Sequence, residues 1–206
     1  MDRESIPEDT MESRLSDSAP PDQSSLDTQL SQLRLILEVS RSLNSTLDLD
    51  ALLDIIIKVA TEVTFTEVAS ILLLDEKTGE LRFEAATGAR RAELKTIVVP
   101  LEGSIAGWIV SQNRSLVVND VRQDPRHFAP ADQTTQFDTR SVLGAPLQVK
   151  DKTIGVLEVL NKCGNSPFIV QDLETLETLA AQAAIAIENA RLYQDLQDQM
   201  RALQEA

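Results

Sequence analysis

The chain has 206 residues, 42% of them hydrophobic, and its 33 acidic and 19 basic side chains give a formal net charge of -14. This length holds one domain of ordinary size with extensions. The acidic balance argues against nucleic acid or an anionic membrane surface as a partner, because both would repel the protein. The single cysteine excludes an internal disulfide and a cysteine-based metal cluster, and it is typical of a reducing cytoplasm. We expect neither a signal peptide nor a membrane span, since no apolar stretch reaches roughly 20 residues.

Two segments precede the main apolar region. Residues 1–24 combine Ser, Asp, Glu and Pro with few bulky apolar side chains, which predicts a disordered acidic tail. In residues 25–47, leucines from Leu26 to Leu37 recur at alternating spacings of four and three, as in a heptad repeat. The pattern predicts a helix that either packs on its own domain or mediates dimerisation, and it is too short to decide between the two.

The pattern of the next part of the chain, up to residue 120, predicts one helix, four strands and a short helix. A helix capped near Asp50 is expected because acidic side chains precede an apolar periodic run there. Apolar runs then alternate with polar turns, and Gly79 supplies the positive φ that the first hairpin turn needs. In chain order we predict strands at 68–75, 81–88, 97–99 and 115–120, with a short helix at 101–113 before the last of them.

The strongest hairpin signal lies at 141–162. Two runs rich in Val, Leu and Ile flank the charged turn Lys150-Asp151-Lys152. Glu158 lies in the second run and shares a face with Val156 and Leu160, because strand side chains alternate with a period of two. A carboxylate on such a face must find a donor, bind a ligand or keep its proton.

A single long helix is predicted from Ile169 to Ala206, because this range contains no glycine or proline. It would reach roughly 55 Å at 1.5 Å per residue. Its last part, 191–206, is therefore expected to leave the domain and to require a partner helix or a further domain. The apolar stripe that predicts the helix consists of Leu173, Leu176, Ala180, Ala183, Ile187 and Ala190, continued by Leu196, Met200 and Leu203.

The order of these elements predicts an α+β fold. A six-stranded antiparallel sheet, with N- and C-terminal helices packed on one face, accounts for the order. The other face is left for the short helix and for residues 121–140, a polar stretch without sustained periodicity that we predict to be a loop acting as a lid. We call residues 121–140 the lid segment, and we expect a ligand pocket beneath it.

Several segments resemble the GAF domain, the sensory module of cyclic-nucleotide phosphodiesterases, cyanobacterial adenylyl cyclases and many bacterial signalling proteins. The resemblance implies a GAF domain at 48–190 and a non-enzymatic role in signal transduction. Together with the helical patterns at both ends of the domain, it leads us to expect a homodimer formed through the terminal helices. The segments are GSIAGW at 103–108, NDV and DPR at 119–126, FDTRS and PL at 137–147, and the run from IGV to NK at 154–162.

A second motif links this chain to nucleotide-binding members of the family. These members carry Asn-Lys, then Phe, then Asp-Glu. Here Asn161, Lys162, Phe168 and Asp172 agree, and Leu173 replaces the Glu. The resemblance implies a structural role, in which Lys162 and Asp172 form an ion pair.

The resemblance also implies a ligand site for cyclic AMP or cyclic GMP. Carried over position by position, its polar groups suit a phosphate or a purine edge. Relatives that bind cyclic GMP place an aromatic and an acidic residue where this chain has Ala86 and Thr87, so base stacking would have to come from elsewhere. The implied ligand-binding residues are Ser70, Ala106, Thr135, Thr139 and Glu158.

Other chemistry has little support in the sequence. His127 is the only histidine, and we expect a surface loop residue because no other ligand lies at metal-binding spacing. Cys163 is the only cysteine, whereas bilin-binding and methionine sulfoxide reductase relatives use a cysteine after the short helix or several cysteines. Trp108 and Phe137 are expected in the core or the pocket wall.

Two hypotheses of different class stay open. The first is a dimeric sensor whose candidate ligand is a cyclic nucleotide and whose terminal helices carry the signal. The second is a ligand-free interaction module that holds two helices in register for a partner kinase, phosphatase or transcription regulator. An oxidoreductase using Cys163 is a distant third.

Overall fold

The computed structural model describes residues 48–88 and 91–204, so the tail predicted at 1–24 and the helix predicted at 25–47 lie outside the described residues. The helices are α1 (Leu49–Thr64), α2 (Arg91–Leu94), α3 (Ile105–Gln112), α4 (Ala129–Thr135) and α5 (Val170–Gln204). The strands are β1 (Thr66–Leu74), β2 (Leu81–Ala86), β3 (Val98–Val99), β4 (Leu116–Val118), β5 (Val142–Val149) and β6 (Lys152–Lys162). Single 3-10 turns lie at Val121–Gln123 and Cys163–Asn165.

The six strands form one antiparallel sheet in the order β3-β2-β1-β6-β5-β4. The two longest strands, β1 and β6, pair at its centre. The hairpin predicted at 141–162 is β5 and β6. The predicted α+β fold with a six-stranded antiparallel sheet is confirmed.

Two helices cover one face of the sheet, as predicted. α1 begins at Asp48, whose side chain accepts a hydrogen bond from the Ala51 amide at 2.8 Å, so the cap lies two residues before the predicted Asp50. α5 packs on α1 and on β5. Alanines occupy half of its ten buried positions, which lets the helix approach the sheet closely.

The long helix α5 outruns the domain that it covers. Its buried residues end at Ala190, fourteen residues before its described end at Gln204. Beyond that point its apolar side chains are exposed, and they include Leu192, Leu196 and Leu203. The prediction of a single long helix is confirmed.

The lid segment is more regular than predicted. The interpretation of 121–140 as a loop is wrong for α4, a seven-residue helix within it. α4 buries none of its own residues, so it has no apolar stripe that could have revealed it. Its one sequence signal is Pro130 in the first turn, where the fixed φ of proline favours a helix start. The one-turn helix α2 was also missed, because four residues are too few to show a period.

Candidate functional site

A cavity of about 280 Å³ lies on the sheet face opposite α1 and α5. Its floor is formed by β1, β2 and β6, and α3, α4 and the loops beside them cover it. Most of the lining is apolar, which suits the burial of a small ligand. The polar side chains among its described lining residues are Ser70, Thr87, Ser104, His127, Asp132, Thr135, Thr139 and Glu158.

Glu158 occupies the centre of the floor. Its strand is flanked by β1 and β5, and the residues directly opposite are Ser70 and Gly144. The side chain is largely buried, and the Ser70 hydroxyl is its hydrogen-bond partner. Burial raises the pKa of Glu158 to about 7, and the bond with Ser70 opposes that rise. The predicted face of β6 is correct, because Val156 and Leu160 lie in the apolar cluster beneath the cavity.

Gly144 leaves the room that this arrangement needs. A Cβ atom at this position would lie 2.4 Å from Cδ1 of Ile109 and 3.5 Å from Cγ of Glu158. Ile109 belongs to α3 and is fully buried. The missing side chain therefore lets α3 approach the sheet next to the acidic residue.

The start of α3 forms a second wall. The Ser104 side chain caps the helix by accepting a hydrogen bond from the Gly107 amide at 2.9 Å. Ala106 lies in the first turn, is buried and lines the cavity. The Ile105 amide donates to the carbonyl of Arg126 at 3.0 Å, so α3 and the lid segment are joined by their backbones.

Asp132 of α4 holds the lid segment together. Its carboxylate accepts hydrogen bonds from the Thr139 hydroxyl at 2.6 Å and from the Thr139 amide at 3.2 Å. His127 Nε2 lies 3.2 Å from the same carboxylate. Thr139 thus lies in the cavity wall as implied, but its hydroxyl proton is already used within the protein.

The remaining implied hydroxyl, that of Thr135, is also engaged. It donates to the carbonyl of Ala131 at 2.9 Å and accepts from the Phe137 amide at 3.3 Å. The structure therefore brings all five implied ligand-binding residues to one cavity. Phe137 lines the same cavity, as expected for a pocket wall.

Sequence reasoning missed two polar residues of this site. Asp132 was not singled out, and His127 was interpreted as a surface loop residue. His127 does lie in a loop, but it is only partly exposed and also lines the cavity, which the sequence did not indicate. No local signal could have identified them, because their role depends on how α4 folds back onto Thr139.

A polar network fixes the end of the lid segment. Asn161 adopts a φ of 56°, a conformation that Asn tolerates better than most residues. Its side-chain oxygen accepts from the amides of Arg140 at 2.7 Å and Ser141 at 3.2 Å. Its side-chain nitrogen donates to the carbonyl of Asp138 at 2.9 Å and to Glu67 Oε2 at 3.0 Å. These four bonds tie β6, β1 and the lid segment together.

The other residues of the Asn-Lys motif fix the start of α5. Lys162 Nζ forms an ion pair with the carboxylate of Asp172, and both side chains are largely buried. The same carboxylate accepts from the Ile169 amide at 2.9 Å, which satisfies a free N–H at the helix start. The Phe168 amide donates to Asn119 Oδ1 at 2.8 Å. This motif is therefore built into the scaffold beside the cavity, and its residues do not line the cavity.

Arg126 of the lid segment is engaged with other protein groups. Arg126 pairs with Asp124 at 2.7 Å, and its guanidinium carbon lies 5.0 Å from the ring centre of Trp108. The hydrogen bond from Arg126 is the main cause that lowers the pKa of Asp124. Trp108 is thus held against a protein cation.

A second depression, of about 660 Å³, lies on the α5 side of the sheet. Its polar lining residues, among them Arg114, Gln148, Lys150 and Glu177, are exposed. It contains no buried polar side chain, so we consider the first cavity the candidate site.

Within the described residues, no group of three or more His, Cys, Asp or Glu side chains is placed to hold a metal ion. Cys163 is exposed in the turn after β6 and does not line the cavity. In the same ranges, every helix is too short or too polar to cross a membrane.

Known proteins resemble this chain in sequence and in structure. It is 26% identical over 168 residues to a probable 3′,5′-cyclic phosphodiesterase of Caenorhabditis elegans. The aligned region covers 77% of this chain and 23% of that protein. The GAF domain of a phosphoenolpyruvate-protein phosphotransferase from Coxiella burnetii superposes with a TM-score of 0.72 at 17% identity, over 81% of this chain and 98% of that one.

A second similar structure is the free methionine-R-sulfoxide reductase of Neisseria meningitidis in complex with its substrate. Its TM-score is 0.65 at 21% identity, over 85% of this chain and 96% of that one. Both structural likenesses concern the fold alone. The family model described as GAF domain matches residues 48–187, which is more than half of the chain. The chain therefore belongs to the GAF domain family.

Proposed function

We propose that this domain is a non-enzymatic regulatory module of intracellular signal transduction that senses a small molecule in the cavity beneath the lid segment. The observation that carries the proposal is Glu158, a buried carboxyl at the floor of an apolar cavity of about 280 Å³. This volume is close to the lower end of the roughly 300–1,000 Å³ range of ligand sites. A few polar groups converging in an apolar pocket are typical of a binding site.

Cyclic AMP and cyclic GMP are the first ligands to test. The relative from C. elegans is named a cyclic phosphodiesterase, and the residues that the family resemblance implies for nucleotide contact lie around one cavity. This chain spans only 23% of that relative, so the activity of the full relative is not transferred to it.

Titration calorimetry with each nucleotide tests the sensor function. We expect heat of binding in the wild type and its loss in Glu158→Ala, because that change removes the polar group at the floor. Lys152→Ala is a matched control, since it changes an exposed end of the same strand. Absence of heat with both nucleotides would contradict a cyclic-nucleotide sensor.

The signal needs a route out of the domain, and we place it in a homodimer formed through the terminal helices. The exposed part of α5 carries a second apolar stripe that lies away from its buried face. Ile185, Leu192, Leu196 and Leu203 are between 47% and 80% exposed. With Asn189 and Gln199 they follow alternating spacings of four and three, which is the pattern of a coiled-coil seam.

A second copy of the chain is the occupant that this stripe fits. Its apolar side chains repeat along one helix, and Asn189 at a seam position would fix the register of two such helices. Sedimentation equilibrium should give a dimer for the wild type and a monomer for Leu192→Asp/Leu196→Asp. Gln194→Asp adds a charge on the opposite side of the same helix and should stay dimeric. A wild-type monomer would contradict the proposal.

A ligand-free interaction module is the second candidate, and one observation favours it. The hydroxyls of Thr135 and Thr139 already bond within the protein, as they would in a closed scaffold. Such a scaffold would hold helices in register for a partner kinase, phosphatase or transcription regulator. Dimerisation without any nucleotide binding, together with unchanged stability on adding nucleotides, would favour this candidate.

A further inference from the structure

Among the side chains that the structure describes, no cation lies beside Glu158. Its opposite neighbours are Ser70 on β1 and Gly144 on β5, and its neighbours on the same face of β6 are apolar. From above the sheet, α3 brings the apolar side chain of Ile109 next to Gly144. Among the described residues, the Ser70 hydroxyl is the hydrogen-bond partner of the carboxyl.

The other ionisable groups among the described lining residues of the cavity belong to the lid segment. Within the described residues, β1, β2, β5 and α3 contribute none to the cavity wall, and no lysine or arginine lines it. α4 contributes Asp132, and the loop before it contributes His127. Both are engaged with each other, and Asp132 also accepts two bonds from Thr139.

These surroundings favour the neutral form of the carboxyl. Desolvation destabilises a carboxylate, and no described cation in the cavity wall offsets that effect. In agreement, burial raises the pKa of Glu158 to about 7. A neutral carboxyl presents an O–H donor next to a C=O acceptor, whereas a carboxylate only accepts.

Resting on the proposed small-molecule function, we propose that the cavity selects a heteroaromatic ligand with a ring-nitrogen acceptor beside an amino group, and that this edge pairs with the neutral carboxyl of Glu158. The O–H of Glu158 donates to the ring nitrogen, and the amino group donates to its C=O. Adenine carries such an edge. Guanine offers two adjacent N–H donors instead, which pair with an ionised carboxylate.

The test measures the affinity for cyclic AMP and cyclic GMP by titration calorimetry at pH 6 and pH 8. Both nucleotides carry the same charge at the two pH values, so the protein causes any change. For the wild type we expect cyclic AMP binding to weaken about tenfold at pH 8, because the neutral fraction of Glu158 falls by that factor. Glu158→Gln keeps a donor beside an acceptor at every pH, so it should bind cyclic AMP equally at both.

Two further variants assign the effect. Ser70→Ala removes the hydrogen bond that favours the ionised form, so the loss of cyclic AMP binding should move to higher pH. This variant also serves as the test if Glu158→Gln fails to fold. His127→Gln removes the imidazole that shares the cavity with Glu158 and should leave the wild-type pH dependence unchanged.

The outcomes separate this inference from the function on which it rests. Binding of cyclic GMP without cyclic AMP would leave the sensor function standing and overturn the inference. Cyclic AMP affinity that is equal at both pH values in the wild type, and weaker in Glu158→Gln, would also overturn it, because Glu158 would then act as a carboxylate. Absence of binding by both nucleotides at both pH values would overturn the inference and the cyclic-nucleotide function together.

Discussion

The two faces of the central sheet differ in how completely they are filled. On one face, α1 and α5 pack directly on the strands, and fully buried residues such as Leu52, Leu157 and Leu179 leave a closed core. On the other face, α3 and the lid segment stand over a cavity of about 280 Å³. The first face holds the fold together. The second leaves volume and polar groups that the fold does not need.

The same contrast appears in two buried acidic residues. Asp172 at the start of α5 is neutralised by Lys162 and also accepts from a backbone amide. Glu158 in the cavity has a hydroxyl partner and, within the described part of the chain, no cation beside it. A buried carboxylate that is paired contributes to structure, whereas one without a cation lowers stability when ionised. The comparison assigns the first to the scaffold and makes the second available for binding.

The largest expected effect comes from breaking the paired acid. Asp172→Ala leaves the ammonium of Lys162 largely buried without its partner, and it frees the Ile169 amide. We expect the free energy of unfolding, measured in urea at pH 7, to fall by about 4 kcal/mol. Glu174→Ala removes an exposed carboxylate from the same turn and should cost less than about 0.5 kcal/mol. Equal losses in the two variants would refute the assignment of Asp172 to the scaffold.

Removing the charge of Glu158 should have the opposite effect and stabilise the protein. The pKa of Glu158 in the folded protein is about 7, above its usual 4.5, so the folded state binds the proton more tightly than the unfolded state. Stability from this group is therefore lost as the pH rises from about 4.5 to about 7. Glu158→Gln escapes this loss, and we expect it to be more stable than the wild type by about 3 kcal/mol at pH 8 and by almost nothing at pH 4.5.

Urea unfolding of the wild type and of Glu158→Gln gives the free energy of unfolding at each pH. The difference between the two proteins is taken at each pH, so that the contributions of other titrating groups cancel. A Glu158→Gln variant that is less stable than the wild type at pH 8 would mean that the carboxylate has a partner in the folded protein. The contrast between the two acids would then disappear.

Two glycines of the sheet allow the packing of its two faces to be compared. Each is changed to alanine, and the loss of stability shows how well the surroundings accommodate one methyl group. At Gly155 an added Cβ would lie 2.2 Å from the carbonyl oxygen of Leu72, so the main chain must move. At Gly144 the closest atom is the terminal Cδ1 of Ile109, at 2.4 Å, which can rotate away. We expect Gly155→Ala to cost about 2 kcal/mol and Gly144→Ala about 1 kcal/mol. Thermal unfolding gives both values.

A matched variant checks the reason for the smaller cost. Ile109→Val removes the Cδ1 atom that an added methyl group at Gly144 would meet. The double variant should therefore lose less stability than the sum of its two single changes. A strictly additive loss would show that the two side chains do not meet.

The smallest effect is expected in the lid segment. Asp132→Ala removes the acceptor for the amide and hydroxyl of Thr139, at a cost of about 1 kcal/mol. Hydrogen exchange of the Thr139 amide should accelerate roughly fivefold, as local opening becomes easier. Asp138→Ala, which removes an exposed carboxylate nearby, should leave that amide unchanged. Unchanged exchange in Asp132→Ala would show that its carboxylate does not hold the lid segment.

The fold was predictable because its signals are local. Alternation placed Glu158 and Leu160 on one face of β6, and the positive φ of Gly79 was foreseen from its place in a hairpin turn. The long helix α5 followed from the absence of helix-breaking residues. Each of these depends on residues that are neighbours in the sequence.

The cavity was only partly predictable. The family resemblance named residues around it, but the contacts of Asp132 with Thr139 and His127 could not be foreseen. They depend on α4, a helix without an apolar face, and on its return to the start of β5. Likewise, burial alone does not show whether an acid has a cation beside it. That distinction between Glu158 and Asp172 requires the register of the strands.

Asn161 determines which end of the lid segment can move. Three of its four bonds anchor the chain at Asp138, Arg140 and Ser141, so the C-terminal end of the lid segment is fixed to the sheet. A rearrangement around a bound molecule must then occur closer to α4. Arg126, on that side, accepts from the first amide of α3. We therefore expect a ligand in the cavity to tilt α3 first, and to change the position of the sheet only afterwards.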